Sequence, residues 1–261
     1  VLPSSNHRKN DEEGASCLRR GLFLFEREYI MAIRILIAED DPDINRLLER
    51  ILTRAGYEVT AAFSGSEARL LKPETFDLVL LDLMLPGVTG EKLIEETRKV
   101  STVPIIVISA KGQEDKLNVL KSGADDFISK PFDVEEVEVR VQSLLRRSRD
   151  FSAATAGEKK LTLGKLVLDP ESREAEVDGK PLTLTAREFD ILALLLRHPN
   201  KVFTRQNLFE IVWGEDYLGD DNTMNVHVSN LRSKLQKLDP EGEYIATVWG
   251  VGFKAAKQRQ V

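Results

Sequence analysis

Three consecutive acids, Glu39, Asp40 and Asp41, follow directly on an apolar run, and a lone acid, Asp82, follows on another. Ser109 closes a third such run, and Lys130, with Pro131 behind it, closes a fourth. Two or three carboxylates with room for water form a hard oxygen site of the kind that suits Mg2+. A carboxylate beside such an ion can act as the nucleophile toward a phosphoryl group. A lysine and a hydroxyl alongside would neutralise charge on the transferring oxygens. Taken singly, an acid run is commonly a solvated loop and a strand-end aspartate commonly a helix cap. All of them at the ends of apolar runs, in this order, point to one site.

Bringing these residues together requires a parallel sheet. From Ile33 to Arg147 the chain alternates short apolar runs with amphipathic stretches. The runs Ile33–Ala38, Phe76–Leu81, Pro104–Ile108 and Phe127–Ser129, with a weaker one at Tyr57–Ala61, predict strands. The periodicity between them predicts helices near Ile44–Arg54, Ser66–Leu71, Glu91–Lys99, Glu114–Lys121 and Val134–Arg147. Five strands alternating with five helices indicate an α/β, doubly wound, five-stranded parallel sheet covered on both faces. Uninterrupted runs such as Leu78–Leu81 fit strands buried on both sides. In such a sheet ligands bind outside the carboxyl ends of the strands, where the acids, the serine and the lysine fall.

The stretch ILIAEDD, the LVLLDLMLPG around Asp82, VISAKG at Ser109 and ADDFISKPF at Lys130 resemble the receiver domain of response regulators, a flavodoxin-like fold. The resemblance spans Met31 to about Arg149, and the receiver is placed at 31–147. It implies that Asp82 is the phosphoacceptor for a sensor histidine kinase. Glu39, Asp40 and Asp82, with the backbone carbonyl of Met84, would hold Mg2+. Ser109 would bind the phosphoryl group, Phe127 would be the aromatic switch packing inward, Lys130 would pair with a phosphoryl oxygen, and the bond before Pro131 would be cis. Ser109 stands where threonine is commoner and Phe127 where tyrosine is, so a phenolic contact is lost. Apart from its own Mg2+-dependent phosphorylation and dephosphorylation, such a domain is not an enzyme.

Residues 148–158 (SRDFSAATAGE) are small and polar and read as a flexible linker. Beyond them, Leu161–Leu168, Glu174–Val177 and Leu182–Leu184 read as strands, punctuated by Asp169-Pro170 and Asp178-Gly179. Helices are expected near Ala186–His198, Arg205–Trp213 and Asn222–Leu238, then a hairpin from Tyr244–Val248 and Gly252–Ala255. This is an α+β module containing a helix-turn-helix. In the last helix Met224, Val228, Leu231, Leu235 and Leu238 form the buried stripe. The opposite face carries Asn222, Val226, Ser229, Asn230, Ser233 and Lys237, small and free of acids, as entry into a major groove requires. His227, Arg232 and Lys234 lie on the flanks, within reach of phosphates.

Residues 159–257 resemble the winged-helix DNA-binding domain of the OmpR/PhoB type, on LTLTAREFDILALLLRHPNKVFTRQNLFEIVWG, TMNVHVSNLRSKLQK and YIATVWGVGFK. The resemblance makes the helix around His227 the recognition helix and the closing hairpin, with Trp249, the wing. It assigns the connection Gly214–Asp221 to RNA polymerase. Asn222, Ser229, Asn230 and Trp249 stand where members commonly place basic residues, so promoter preferences do not transfer. Receivers of this type pair through their fourth helix, fifth strand and fifth helix into a homodimer on phosphorylation. The implied cross-dimer pairs are Lys116 with Glu136, Asp126 with Arg140 and Asp125 with Arg147.

The 261 residues, 42% hydrophobic and 31% charged, suit two ordinary domains. A single cysteine, Cys17, excludes an internal disulfide framework. No apolar run approaches the roughly 20 residues of a membrane span, so a cytoplasmic protein without a membrane partner is expected. Residues 1–30 lack periodicity and read as a leader or a misassigned start. Residues 31–150 carry 17 basic and 22 acidic side chains, whereas 151–261 carry 15 and 16. A nearly neutral DNA-binding module holds DNA weakly alone, which favours two modules acting together. The whole reads as a phosphorylation-activated regulator binding promoter DNA as a dimer. A phosphatase acting on external substrates, or a module working by protein contacts alone, are the alternatives. Phosphate-dependent retention of DNA separates the first from the last.

Overall fold

The computed structural model describes residues 32–110, 112–154, 159–217 and 221–257, with the side chains of 113, 146–154 and 221 outside the description. The expected leader and residues 155–158 of the expected linker lie outside the described residues.

Strands β1 (Arg34–Ala38), β2 (Glu58–Ala62), β3 (Leu78–Leu81), β4 (Ile105–Ser109) and β5 (Asp126–Ser129) form one parallel sheet in the order β2-β1-β3-β4-β5. β3 and β4 are buried along their whole length, which is why they read as continuous apolar runs rather than alternating ones. Helices α1 (Pro42–Arg54), α2 (Gly65–Leu70), α3 (Gly90–Arg98), α4 (Gln113–Lys121) and α5 (Val134–Ala154) connect and follow the strands. Asp41 caps α1, accepting from the backbone N–H groups of Asp43 and Ile44 at 2.8 and 3.2 Å, with Pro42 at the first helical position. Ser64 and Thr89 cap α2 and α3 in the same way. The Lys130–Pro131 bond is cis. Helix α5 continues to Ala154, into the stretch expected to be linker. Its arginine-rich and small residues are compatible with helix once a packed turn precedes them.

The C-terminal half opens with β6 (Leu161–Leu163), β7 (Leu166–Asp169), β8 (Glu174–Val177) and β9 (Lys180–Pro181) in one antiparallel sheet. The stretch expected as one strand, Leu161–Leu168, is thus a hairpin, turned at Gly164, whose φ is +61°. The strand expected at Leu182–Leu184 lies instead at Lys180–Pro181, and Leu182 closes its pairing with an N–H to the Ala175 carbonyl. Helices α6 (Ala186–Arg197), α7 (Arg205–Trp213) and α8 (Asp221–Leu238) follow. Thr185 and Glu188 form a reciprocal capping box at α6. A three-stranded sheet completes the half: β10 (Phe203–Thr204), which is too short to show in the sequence, with β11 (Ile245–Val248) and β12 (Gly252–Ala255).

Met224, Val228, Leu231 and Leu235 of α8 join α6 and α7 in the core of this half, as their spacing predicts. Val226, on the other side of α8, belongs to a different cluster: it is buried with the apolar residues of the first sheet and of α4. No helix among the described residues is long and apolar enough to cross a membrane.

Candidate functional site

The register of β1 against β3 sets the acids side by side. Ala38 pairs with Leu81, and the Asp82 N–H donates to the Ala38 carbonyl at 2.8 Å, so Glu39 and Asp82 leave the sheet together. Glu39 (1% exposed) and Asp82 (5%) are buried, and Asp40 faces solvent. One ligand oxygen from each of the three lies within 4.8 Å of the others. Lys130, just beyond β5, places its Nζ 2.7 Å from Glu39 Oε2 and 2.5 Å from Asp82 Oδ2. The Met84 N–H donates to Asp82 Oδ1 at 3.0 Å, holding one carboxylate oxygen and leaving the other toward the lysine. Ser109 is fully buried at the end of β4, and Phe127 packs inward.

Burial pushes the Glu39 carboxyl above its ordinary range, against the pull of Lys130. Burial also works against charge on Lys130, but hydrogen bonds to Asp82 and Glu39 outweigh it and hold the ammonium above the ordinary lysine value. The site is therefore a carboxylate pair kept compact by a cation. Its all-oxygen donor set, with one acid open to water, fits a hard divalent ion.

Two residues that support this rim went unnoticed in the sequence. Asn45 is buried on the inner face of α1, where its Nδ2 donates to the Glu39 carbonyl at 2.9 Å and the Ala62 carbonyl at 3.2 Å. A polar residue in line with the apolar stripe Leu48, Ile51 and Leu52 was the available signal. Gly90 opens α3 against the chain that leaves β3. A Cβ there would collide with the Asp82 carbonyl oxygen and sit 2.7 Å from the Leu83 Cα.

The DNA-reading residues expected on α8 separate into groups. Asn222, Ser229 and Ser233 face solvent, and Trp249 is 89% exposed at the tip of the β11–β12 hairpin. Arg232 is anchored to that hairpin: its guanidinium donates to the Ile245 carbonyl at 2.9 Å and to Thr247 Oγ1 at 2.7 Å. Lys234 pairs with the buried Glu188 at 2.6 Å. Val226 (8% exposed) and His227 (1%) are buried, and Asn230 Nδ2 donates to the Leu120 carbonyl at the end of α4 at 3.0 Å. His227 is thus no solvent-facing flank. Its ring lies 5.3 Å from that of Trp213, and α4 lies along the helix face that carries Val226 and Asn230.

The expected dimer face is engaged by the same chain. Asp126 pairs with Arg140 at 3.0 Å within one molecule rather than across two, and with Arg187 of α6 at 3.5 Å. Arg140 also meets Glu136 at 3.0 Å and Glu215 at 3.6 Å. Asp125 accepts from Arg98 at 2.8 Å, from the Ile105 N–H at 3.0 Å and from the Arg187 N–H at 3.3 Å. Both aspartates are therefore buried, not surface charges. Ser143 of α5 donates to the Trp213 carbonyl. Lys116 is half-buried, and the side chain of Arg147 lies outside the described residues, as do residues 218–220 of the Gly214–Asp221 connection.

Family models match both halves: the response regulator receiver domain over residues 35–142, and the C-terminal domain of transcriptional regulatory proteins over residues 179–255. An uncharacterized transcriptional regulatory protein of Bacillus subtilis, YrkP, is 41% identical over 227 residues, covering 86% of this chain and 98% of its own. The transcriptional regulatory protein ResD of the same organism is 39% identical, covering 85% of this chain and 95% of its own. Among solved structures, a cysteine-to-serine mutant of RitR superposes with a TM-score of 0.72 at 28% identity, covering 87% of this chain and all of that one. With both family models in order and full-length relatives above 30% identity, the chain belongs to the OmpR/PhoB family of response regulators, DNA-binding transcriptional regulators of two-component systems.

Proposed function

We propose that the protein is switched by phosphorylation of Asp82 from a sensor histidine kinase and then binds promoter DNA as a dimer. The observation that carries this reading is the Lys130 ammonium bridging Glu39 and Asp82 at the carboxyl ends of three strands. An Asp82 oxygen attacks the phosphorus of a phosphohistidine; the O–P bond forms as the N–P bond breaks, and its electron pair returns to the kinase imidazole. Lys130 neutralises one transferring oxygen and the Ser109 hydroxyl takes another, while the Met84 N–H orients the acceptor carboxylate. Glu39, Asp40, Asp82 and the Met84 carbonyl would hold Mg2+. When bound, the ion would neutralise charge on the phosphoryl oxygens. Phe127, at the inner end of β5, responds to the movement of Ser109. These parts supply one turnover on the protein itself, in the cytoplasm where kinase and promoter meet.

In the DNA-bound form Asn222, Val226, Ser229, Asn230 and Ser233 face base edges. His227, Arg232 and Lys234 support the backbone contacts, with Trp249 in the wing and the connection after Gly214 turned to RNA polymerase. Lys116, Asp125, Asp126, Glu136, Arg140 and Arg147 make the dimer face. The test of the central step is intact-protein mass after incubation with acetyl phosphate and Mg2+. The expected result is a gain of one phosphoryl group, abolished by D82N and by a chelator. Equal uptake by D82N would overturn the assignment.

A further inference from the structure

We infer that Trp249 is an apolar wedge that enters the minor groove and unstacks a base step of the bound DNA. The hairpin tip then reads how easily DNA deforms, not its charge. The inference rests on the reading given above, in which α8 lies in the major groove.

Trp249 is 89% exposed, and Val251, across the turn at Gly250, is 45% exposed. The other tryptophan, Trp213, is fully buried. A large aromatic ring held in water beside an apolar neighbour has the composition of a contact surface, not of a solvated turn. Gly250, with a φ of +73°, makes the tight corner that carries the ring. The tip from Val248 to Gly252 contains no charged residue. The hairpin behind it is fixed to α8. Arg232 donates to the Ile245 carbonyl and to Thr247 Oγ1, and the Tyr244 hydroxyl donates to Asp239 Oδ2 at 2.7 Å. The guanidiniums of Arg205 and Arg232 lie over the Phe253 ring of β12 at 5.6 and 5.7 Å. Helix and tip therefore move as one body, as a wedge requires, because contacts made elsewhere must press it into the stack.

A concavity between helix and hairpin sets where the tip goes. Arg232, Gln236, Tyr244, Thr247 and Trp249 line a cleft of about 430 Å³, room for a sugar–phosphate unit. With α8 in the major groove, the backbone ridge bordering that groove runs through the cleft. Trp249 is two residues past Thr247, about 7 Å further along the hairpin at about 3.4 Å per residue. Its ring therefore falls beyond the ridge, in the minor groove. Glu243, also on the cleft wall, offsets the charge of Arg232. Charge thus gives the ridge little hold, and burial of the indole supplies it. Apolar side chains pushed between base steps kink the duplex, and pyrimidine–purine steps such as TA and CA yield most easily. The wedge thereby selects sequence without a hydrogen bond to any base edge.

The test uses the full chain with acetyl phosphate and Mg2+, on the genomic fragment it retains best, against W249A, W249F and W249R. Loss of one stacked aromatic weakens binding about tenfold. W249A should show that loss with the slope of log affinity against log salt unchanged, and W249F should recover most of it. W249R should instead steepen the slope by about 0.9. Circularly permuted fragments should reveal a bend with tryptophan or phenylalanine and none with alanine. Iodide should quench Trp249 emission in the free protein and cease to do so once DNA is bound, Trp213 being buried throughout. Equal affinity of W249A and the unsubstituted protein, or a loss of affinity with the bend unchanged, would overturn the wedge. Should W249A lose its native circular dichroism spectrum, iodide decides: Trp249 still quenched in the unsubstituted complex counts against insertion. If the unsubstituted protein retains no fragment at all, the functional reading falls and the wedge with it; every other outcome bears on the wedge alone.

Discussion

At the scale of single residues, His227 carries the sharpest consequence of burial. Burial holds its imidazole down to about 4, with Arg187 acting in the same direction and Asp125 and Asp126 against it; Lys234, on its own helix, adds a further small downward push. In the unfolded chain the group returns toward its ordinary value of 6.5. The depressed value belongs to the folded form, so the stability it contributes is fully present above pH 6.5 and is lost as pH falls from there through 4. The limiting size is about 3 kcal/mol, at 1.36 kcal/mol per pKa unit. Urea midpoints should therefore fall between pH 7 and pH 5, and H227Q should flatten that fall. An identical fall in H227Q would assign it to the carboxylates instead. That Glu39, Asp40, Asp82 and Lys130 gather at one rim was legible because their types are rare at strand ends. The burial of His227 was not, because a helical wheel places a residue on a face and says nothing of what covers the face.

At the scale of elements, the rim depends on how closely α3 approaches the chain leaving β3. Gly90 permits that approach, and G90A should push the Asp82 loop outward. The expected outcome is a loss of about 1–3 kcal/mol in stability from overpacking, together with slower uptake of phosphate from acetyl phosphate. Denaturant melts and phosphorylation time courses read the two; a variant with normal kinetics would show that the loop yields without displacing the acceptor. Most elements were readable from periodicity, including the five strands and the buried stripe Met224, Val228, Leu231 and Leu235. The failures share a cause. β10 and β9 contain two residues each, too few for a period to appear. The hairpin at Gly164 hid inside an apolar run, and the extension of α5 to Ala154 overrode a composition that suggested coil.

At the scale of the whole molecule, net charge and internal pairing act together. The C-terminal half is almost neutral, Lys234 is paired with Glu188, and Arg232 is tied to β11. Two of the cations expected to meet DNA are therefore already engaged within the protein. Each neutralised phosphate contributes about 0.9 to the slope of log affinity against log salt. The phosphorylated protein should show a slope no steeper than about −3 per DNA-binding half, measured by gel retardation across a salt series. A much steeper slope would mean that Arg232 and Lys234 release their internal partners on binding.

Local pattern was enough for the parallel sheet and for the convergence of Glu39, Asp40, Asp82 and Lys130 on one rim. A buried strand must be apolar throughout, and its polar successor must then lie at the rim. Tertiary structure alone decided where those strengths are spent. It put Lys130 between two carboxylates, turned the pair Asp126 and Arg140 inward, and laid α8 on α4. Such contacts join surfaces far apart in the chain, each of which looks like an ordinary amphipathic helix or solvated charge. Their complementarity is a property of the pair, and no window of sequence contains both members.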